Sequence, residues 1–304
     1  MTRHPAERPR PCSALLAGAA LIFVVAAAAA PTTPDRDPAA TLRGRYAALR
    51  ERLEHSSFQQ HLLLESAEDA HGLQGDIWAV VDYPLAAVAA SVTSPARWCD
   101  ALILHLNVKY CRPVPHGRGT ALLVAIGHKY DQPLDDAFRL ELDCRVTASA
   151  PEYVAVELES AKGPIGTTNY RITLEAIALA PGRSFLHLRY SYRYGLEARL
   201  AMDAYLATGG IGKVGFTRID APEDHEPRYI GGVRGVVERN TMRYFLAIDA
   251  YLATLAAPAP QRFEQSLERW FSATELHARQ LHEVDHATYI AMKRREYQRQ
   301  QAPP

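Results

Sequence analysis

The constraint that does most to limit this chain is one-by-one alternation of apolar and polar residues, repeated in five stretches between Leu102 and Tyr194. The last is the clearest: Leu186, Leu188, Tyr190, Tyr192 and Tyr194 alternate with His187, Arg189, Ser191 and Arg193. The others run over Leu102–Tyr110, Phe138–Val146, Val154–Glu159 and Tyr170–Glu175. Side chains alternate across a strand, so each stretch predicts a strand with one apolar and one wet face. A set of such strands predicts an antiparallel sheet that must bury one face against something else. Phe58–Glu65, Leu73–Asp82 and Thr120–Tyr130 read as three further strands, which gives about eight, enough to curl.

The cover is legible in Val233–Leu255, where Val233, Val237, Thr241, Tyr244, Phe245, Ile248, Tyr251, Leu252 and Leu255 recur at helical spacing. One amphipathic helix laid on the sheet buries both apolar faces. Shorter helices are expected at Ala39–Glu54, Leu85–Ser91, Ala96–Asp100 and Leu196–Thr208, and a final helix from about Arg262 to Arg299 after Pro258 and Pro260. The fold class is α+β: a curved antiparallel sheet gripping a long C-terminal helix, with an extra amphipathic helix at 258–304.

The order of these elements, with Gly75–Arg112 (GDIWAVVDYPLAAVAASVTSPARWCDALILHLNVKYC) as strand, paired short helices and return strand, resembles the helix-grip fold of the START-like superfamily. The resemblance covers about Leu62–Leu255, and the domain is set at 58–257. It implies a hydrophobic ligand such as a lipid held between sheet and helix, with cyclases or hydrolases on the same fold as the alternative. The export signal, the segment 196–220 and the helix after Pro258 depart from the usual plan.

Arg3, Arg8 and Arg10 precede an uncharged apolar run, Ser13–Ala30, ending in small residues. These are the parts of a secretory signal peptide, residues 1–29, with cleavage expected after Ala28 or Ala29 because Pro31 disfavours a later cut. The chain is therefore expected in the periplasm or outside the cell, with an uncleaved inner-membrane anchor as the alternative. A linker and first helix occupy 30–57. Lys and Arg together equal Asp and Glu at 34 each, and the basic residues form no stripe, which argues against a nucleic-acid partner. Export leaves Cys99, Cys111 and Cys144 in an oxidising compartment. Cys99 ends a helical stretch and Cys111 the following strand, so a Cys99–Cys111 bridge would tie the two together; three buried thiols are the alternative, and Cys144 sits on an apolar parity.

For the site, the apolar parity carries Tyr110, Tyr130, Tyr170, Tyr190, Tyr192 and Tyr194, with His128 beside Leu122, Val124 and Ile126. Together with Phe245 on the helix they offer an oily pocket with several hydroxyls, suited to an amphipathic ligand. No catalytic residue, cofactor or metal is called. Asp143, Glu157, Glu175 and His187 lie on wet parities. His282-Glu283-Val284-Asp285-His286 matches HExxH, so a zinc hydrolase using His282, Glu283 and His286 is a further alternative, set against a solvated face of a charged helix. Gly209–Gly215 (GGIGKVG) lacks the Ser or Thr of a phosphate loop and reads as a hinge or lid. The terminal helix is left for a membrane or protein contact.

Overall fold

The alternating stretches assemble as expected, into one eight-stranded antiparallel sheet. In the computed structural model, which describes residues 1–2, 37–196, 199–200, 202, 212–219 and 227–302, the strands are β1 Leu62–Glu68, β2 Gly72–Val81, β3 Val108–His116, β4 Gly119–Ile126, β5 Phe138–Ala150, β6 Tyr153–Lys162, β7 Thr167–Ala180 and β8 Arg183–Tyr194. Their order across the sheet is β1-β2-β8-β7-β6-β5-β4-β3. The chain divides into two units, Met1–Arg36 and Asp37–Pro304, and the second carries this fold. The expected signal segment, apart from Met1 and Thr2, lies outside the described residues, as does most of the helix expected at 196–208.

Between β2 and β3 run two short helices, α2 Leu85–Val92 and α3 Pro95–Leu102. The long helix α4, Gly232–Leu252, lies in the concave face against β1, β2 and β8. Its approach is close: a Cβ on Gly75 of β2 would stand 2.2 Å from Thr241 Oγ1, so the glycine is what admits the helix at that point. Val237, Met242, Phe245 and Leu246 are buried there with Ile77, Leu174, Leu186 and Leu188. This is the helix-grip architecture.

Three expectations are corrected. The run Leu102–Tyr110 is not one strand. α3 continues to Leu102, a turn follows, and β3 starts at Val108. His105 and Lys109, expected on a wet face, are 2% and 0% exposed. Alternating leucines are apolar in a helix end and a turn as well as in a strand, so period alone misread them. Second, the convex face is not wholly wet. Helix α1, Pro38–Glu54, capped by Asp37, whose carboxylate accepts from Ala39 N at 3.0 Å, covers it. Leu42, Leu49 and Leu53 pack there on Trp78, Tyr153, Ile177 and Phe185.

Third, the expected final helix is three: α5 Ala259–Glu275, α6 Ala278–Leu281 and α7 His286–Gln301. The break carries a cap signature, for Asp285 accepts from Thr288 N at 2.9 Å and from its hydroxyl at 2.6 Å. These helices pack on the domain itself. Trp270 Nε1 donates to the Arg243 carbonyl at 3.3 Å, and the Tyr289 hydroxyl to the Leu104 carbonyl at 2.9 Å. Lys293, fully buried, donates to the carbonyls of His105 and Val108 at 2.8 Å each and to Glu296 at 2.7 Å. Cys99 and Cys111 form a disulfide that staples α3 to β3, with Cα atoms 5.1 Å apart. Among the described residues no helix is long and apolar enough to cross a membrane.

Candidate ligand-binding site

Period-two spacing puts Tyr190, Tyr192 and Tyr194 on one face of β8, and antiparallel register brings Tyr170 of β7 beside them, with Ile172 opposite Tyr190. The rings form a ladder. Tyr170 and Tyr190 meet edge to face at 5.2 Å, Tyr190 and Tyr192 at 5.6 Å, Tyr192 and Tyr194 at 6.5 Å between centroids. Helix α4 adds Tyr244, 5.2 Å from Tyr190, whose hydroxyl shares a 2.8 Å hydrogen bond with that of Tyr170. His105 stacks on Tyr244 at 4.5 Å.

This floor is electrically neutral. Burial pushes the phenols of Tyr170, Tyr190 and Tyr244 well above their ordinary pKa, and drives His105 well below its own, so it stays uncharged among Arg243, Lys293 and Lys109. The ladder climbs from this floor to the rim. There Tyr194 donates to Glu68 and to the Asp69 carbonyl, both at 3.4 Å. It borders a cleft of about 270 Å³ with Glu68, Arg199, Ile230, Val233 and Arg234. A second cleft, of about 400 Å³, opens beside it among the polar side chains Gln74, Asn169, Arg171, Ser191 and Arg193.

The rim is tied down by Glu238 of α4, which is fully buried. It accepts from Phe216 N and Thr217 Oγ1 at 2.6 Å, from Thr217 N at 2.9 Å and from Ser66 at 2.6 Å. Arg234 also donates to Ser66, at 2.9 Å. Gly215, at the end of the expected hinge loop, donates its N–H to the Ile230 carbonyl at 2.7 Å, so that end is pinned; Gly209–Ile211 lie outside the described residues.

The residues singled out in sequence fall into two groups. Tyr170, Tyr190, Tyr192 and Phe245 come together on the concave face, all buried. Tyr110 sits on β3, at the opposite edge of the sheet, half-buried. His128 and Tyr130 lie beyond the end of β4, stacked on each other at 4.9 Å, with Tyr130 58% exposed. They meet outside, because β4 ends at Ile126 and the parity that placed them inside ends with it. Tyr244, Glu68 and Arg234 were not called. Tyr244 had a usable signal, a phenol on the buried stripe of the gripped helix; Glu68 and Arg234 had none, since their places at the rim come from the packing of α4 on β1.

Two polar networks also escaped the sequence. His187, expected in water, is 6% exposed under α1. Its Nε2 lies 2.7 Å from Asp76, its Nδ1 2.9 Å from Glu175, and Trp78 stacks on its ring at 3.6 Å. Burial alone would lower its pKa, yet the two carboxylates hold it above the ordinary value. The second is Glu283. It is not on a solvated helix face; it accepts from Lys129 at 2.6 Å and Arg243 at 2.8 Å, and it pairs with Lys213 at 3.1 Å. That geometry overturns the zinc reading. His282 follows the end of α6 as its cap and His286 begins α7, so the HExxH residues share no helix, and the two histidines turn away to Glu275 and Glu268.

The sheet order and the helix in its concave face define the class: a helix-grip protein. No family model matches the chain, and no curated protein matches its sequence. Among solved structures it is similar to norcoclaurine synthase from Thalictrum flavum, at 12% identity and a TM-score of 0.33 over 47% of this chain and 89% of that one. It is similar also to Ara h 8.0201, at 12% and 0.34 over 60% and 99%. Human StAR-related lipid transfer protein 5 aligns at 10% and 0.31 over 56% and 89%.

Proposed function

We propose that this chain is an exported protein that binds a lipid-like amphipathic small molecule at the rim of the tyrosine ladder, without performing chemistry on it. The observation that carries the reading is the ladder itself, a continuous run of phenols from the closed floor at Tyr170 and Tyr244 to Tyr194 in an open cleft. Phenol rings give an apolar body a surface to lie on and leave a hydroxyl to orient a polar head. Tyr194, Ile230 and Val233 suit the body, and Glu68, Arg199 and Arg234 the head. The Cys99–Cys111 bridge supports an oxidising compartment and so the export reading.

Native mass spectrometry of protein recovered from the exported fraction, under gentle and denaturing conditions, is the test. The expected result is an organic adduct that leaves on denaturation, is retained by Phe138→Ser and is lost in Tyr192→Ala. The same spectrum reads where the chain was cut. Adduct retention in Tyr192→Ala, or its absence from the wild type, sinks the proposal.

A further inference from the structure

The last helix of the fold docks on the stretch of chain that the disulfide closes. Cys99 lies in α3 and Cys111 in β3, so their bridge makes a ring of the residues between them. Leu102, Ile103, Leu104 and Leu106, each no more than 2% exposed, seat the ring in the core. Asn107 Nδ2, donating to the Gly127 carbonyl at 2.7 Å, ties its middle to the end of β4. Helix α7 then makes its buried polar contacts here. The Tyr289 hydroxyl donates to the Leu104 carbonyl at 2.9 Å, and Lys293 donates to the carbonyls of His105 and Val108 at 2.8 Å each. Lys109, a member of the ring, pairs with Glu296 at 3.0 Å. Gln300 Oε1 accepts from the Cys111 N–H at 3.1 Å, so the helix ends on a residue of the bridge itself. The ion pairs of α7 to Asp131, Glu264 and Glu268 lie on the surface and contribute little.

Such docking asks for a well-ordered partner. One ammonium has to meet two carbonyls of the ring at once, beside a lysine that holds the carboxylate of the same helix. With the bridge closed, the ring has already given up its freedom before α7 arrives. With the bridge open, part of that ordering is lost from the undocked form and has to be made good on docking, which weakens it. The coupling runs both ways, so a docked α7 also favours the closed bridge. Cys99 and Cys111 are 2% and 0% exposed, and a reductant therefore reaches the sulfurs only in a molecule that has opened at this place.

We propose that α7 is a redox-governed strap: while docked it shields the Cys99–Cys111 bond, and reduction of that bond by a dithiol lets α7 lift from the domain with the sheet still folded. One thiolate of the dithiol attacks a bridge sulfur to give a mixed disulfide, and its second thiol displaces the protein. Two electrons pass to the bridge, Cys99 and Cys111 leave as thiols carrying the two protons of the dithiol, and the dithiol leaves as a cyclic disulfide. The buried leucines and Asn107 keep the ring seated, which confines the effect to the helix. The strap is independent of ligand binding at the tyrosine ladder.

Amide hydrogen exchange on the full chain, before and after dithiothreitol under native conditions, is the test, with alkylation of Cys99 and Cys111 verifying the reduction. The amides of residues 289–300 are expected to exchange at least about tenfold faster once the bond is reduced, and those of β7 and β8 at an unchanged rate. Cys99→Ala combined with Cys111→Ala is expected to give the reduced pattern with no reductant present. Lys293→Met takes the ammonium away from the ring. It is expected to speed reduction by dithiothreitol about tenfold while β8 exchanges as in the wild type. Unchanged exchange in α7 after reduction or in the double variant overturns the proposal, as does faster exchange spread equally over β7 and β8. Reduction of Lys293→Met no faster than that of the wild type, or faster only in step with β8 exchange, overturns it as well.

Discussion

The concave face of the sheet buries its polar atoms as neutral phenols, while the convex face beneath α1 buries an imidazole between two carboxylates. The difference follows from how each face is closed. The tyrosine cluster lies under α4 with no charged side chain bonded to it, and its polar atoms are hydroxyls that bond one another. The convex face is closed by one helix. Glu175 and Arg189 stay 31% and 41% exposed at the edge of the cluster, which lets the network keep its charges within reach of solvent. Where the deepest cover does hold charges they are paired, as Lys293 is with Glu296 and Arg243 with Glu283.

The comparison can be broken most directly at His187. His187→Ala leaves Asp76 and Glu175 under α1 without the ring between them, and a loss of about 3 kcal/mol is expected in urea unfolding. A loss within about 1 kcal/mol would make the cluster no more than a surface pair. Next in size is the grip on the concave face. Gly75→Ala drives a methyl into Thr241 Oγ1, at 2.2 Å, and is expected to cost about 2 kcal/mol, part of it recovered when Thr241→Ala is added.

Smaller still is the effect of one hydroxyl. Tyr170→Phe leaves the Tyr244 hydroxyl buried without its 2.8 Å partner and is expected to cost about 1–2 kcal/mol, measured by the same unfolding curves. Phenol-for-phenylalanine exchange at exposed Tyr130 is the control and should be silent.

The gentlest test is pH. His187 is held above 6.5 in the fold, so its contribution is complete below about that pH and is lost as pH rises through the folded value. Asp76 and Glu175 are held below 3.8 and 4.5, so theirs is complete above those values and lost as pH falls through the folded ones. Lys293 has the opposite sense to His187. Burial lowers it from 10.5 to about 8, so the unfolded chain holds the extra proton between those values and stability should rise with pH across them. Unfolding free energies measured from pH 4 to about 10 should therefore show a fall above 6.5, removed by His187→Gln, and a gain above about 8, removed by Lys293→Met.

Much of this was legible in the chain. The strand alternation from Phe138 to Tyr194 and the helical stripe of Val233–Leu255 were read at the observed places, though the strands run up to five residues further, because the period survives where one face of an element meets the core. Leu102–Tyr110 failed because a helix end, a turn and a strand start are all buried there, and burial on every side erases the period. Asp285-x-x-Thr288 announced the start of α7 and was overlooked inside the apparent HExxH. Of the site, Tyr170, Tyr190 and Tyr192 followed from parity alone.

By itself, then, the sequence determined which residues face inward on each strand, that one long helix must cover them, and that a cysteine pair could bridge α3 and β3. These are local matters, settled by spacing along a few residues. The tertiary structure alone decided which polar groups meet: that α1 would close over His187, that Glu283 would gather Arg243, Lys129 and Lys213, and that the Tyr83 hydroxyl would donate to Asp249. Those partners stand far apart in sequence, His187 at 111 residues from Asp76 and Asp249 at 166 from Tyr83. Charge pairing across such gaps depends on sheet order and helix placement, and no period within the chain encodes it.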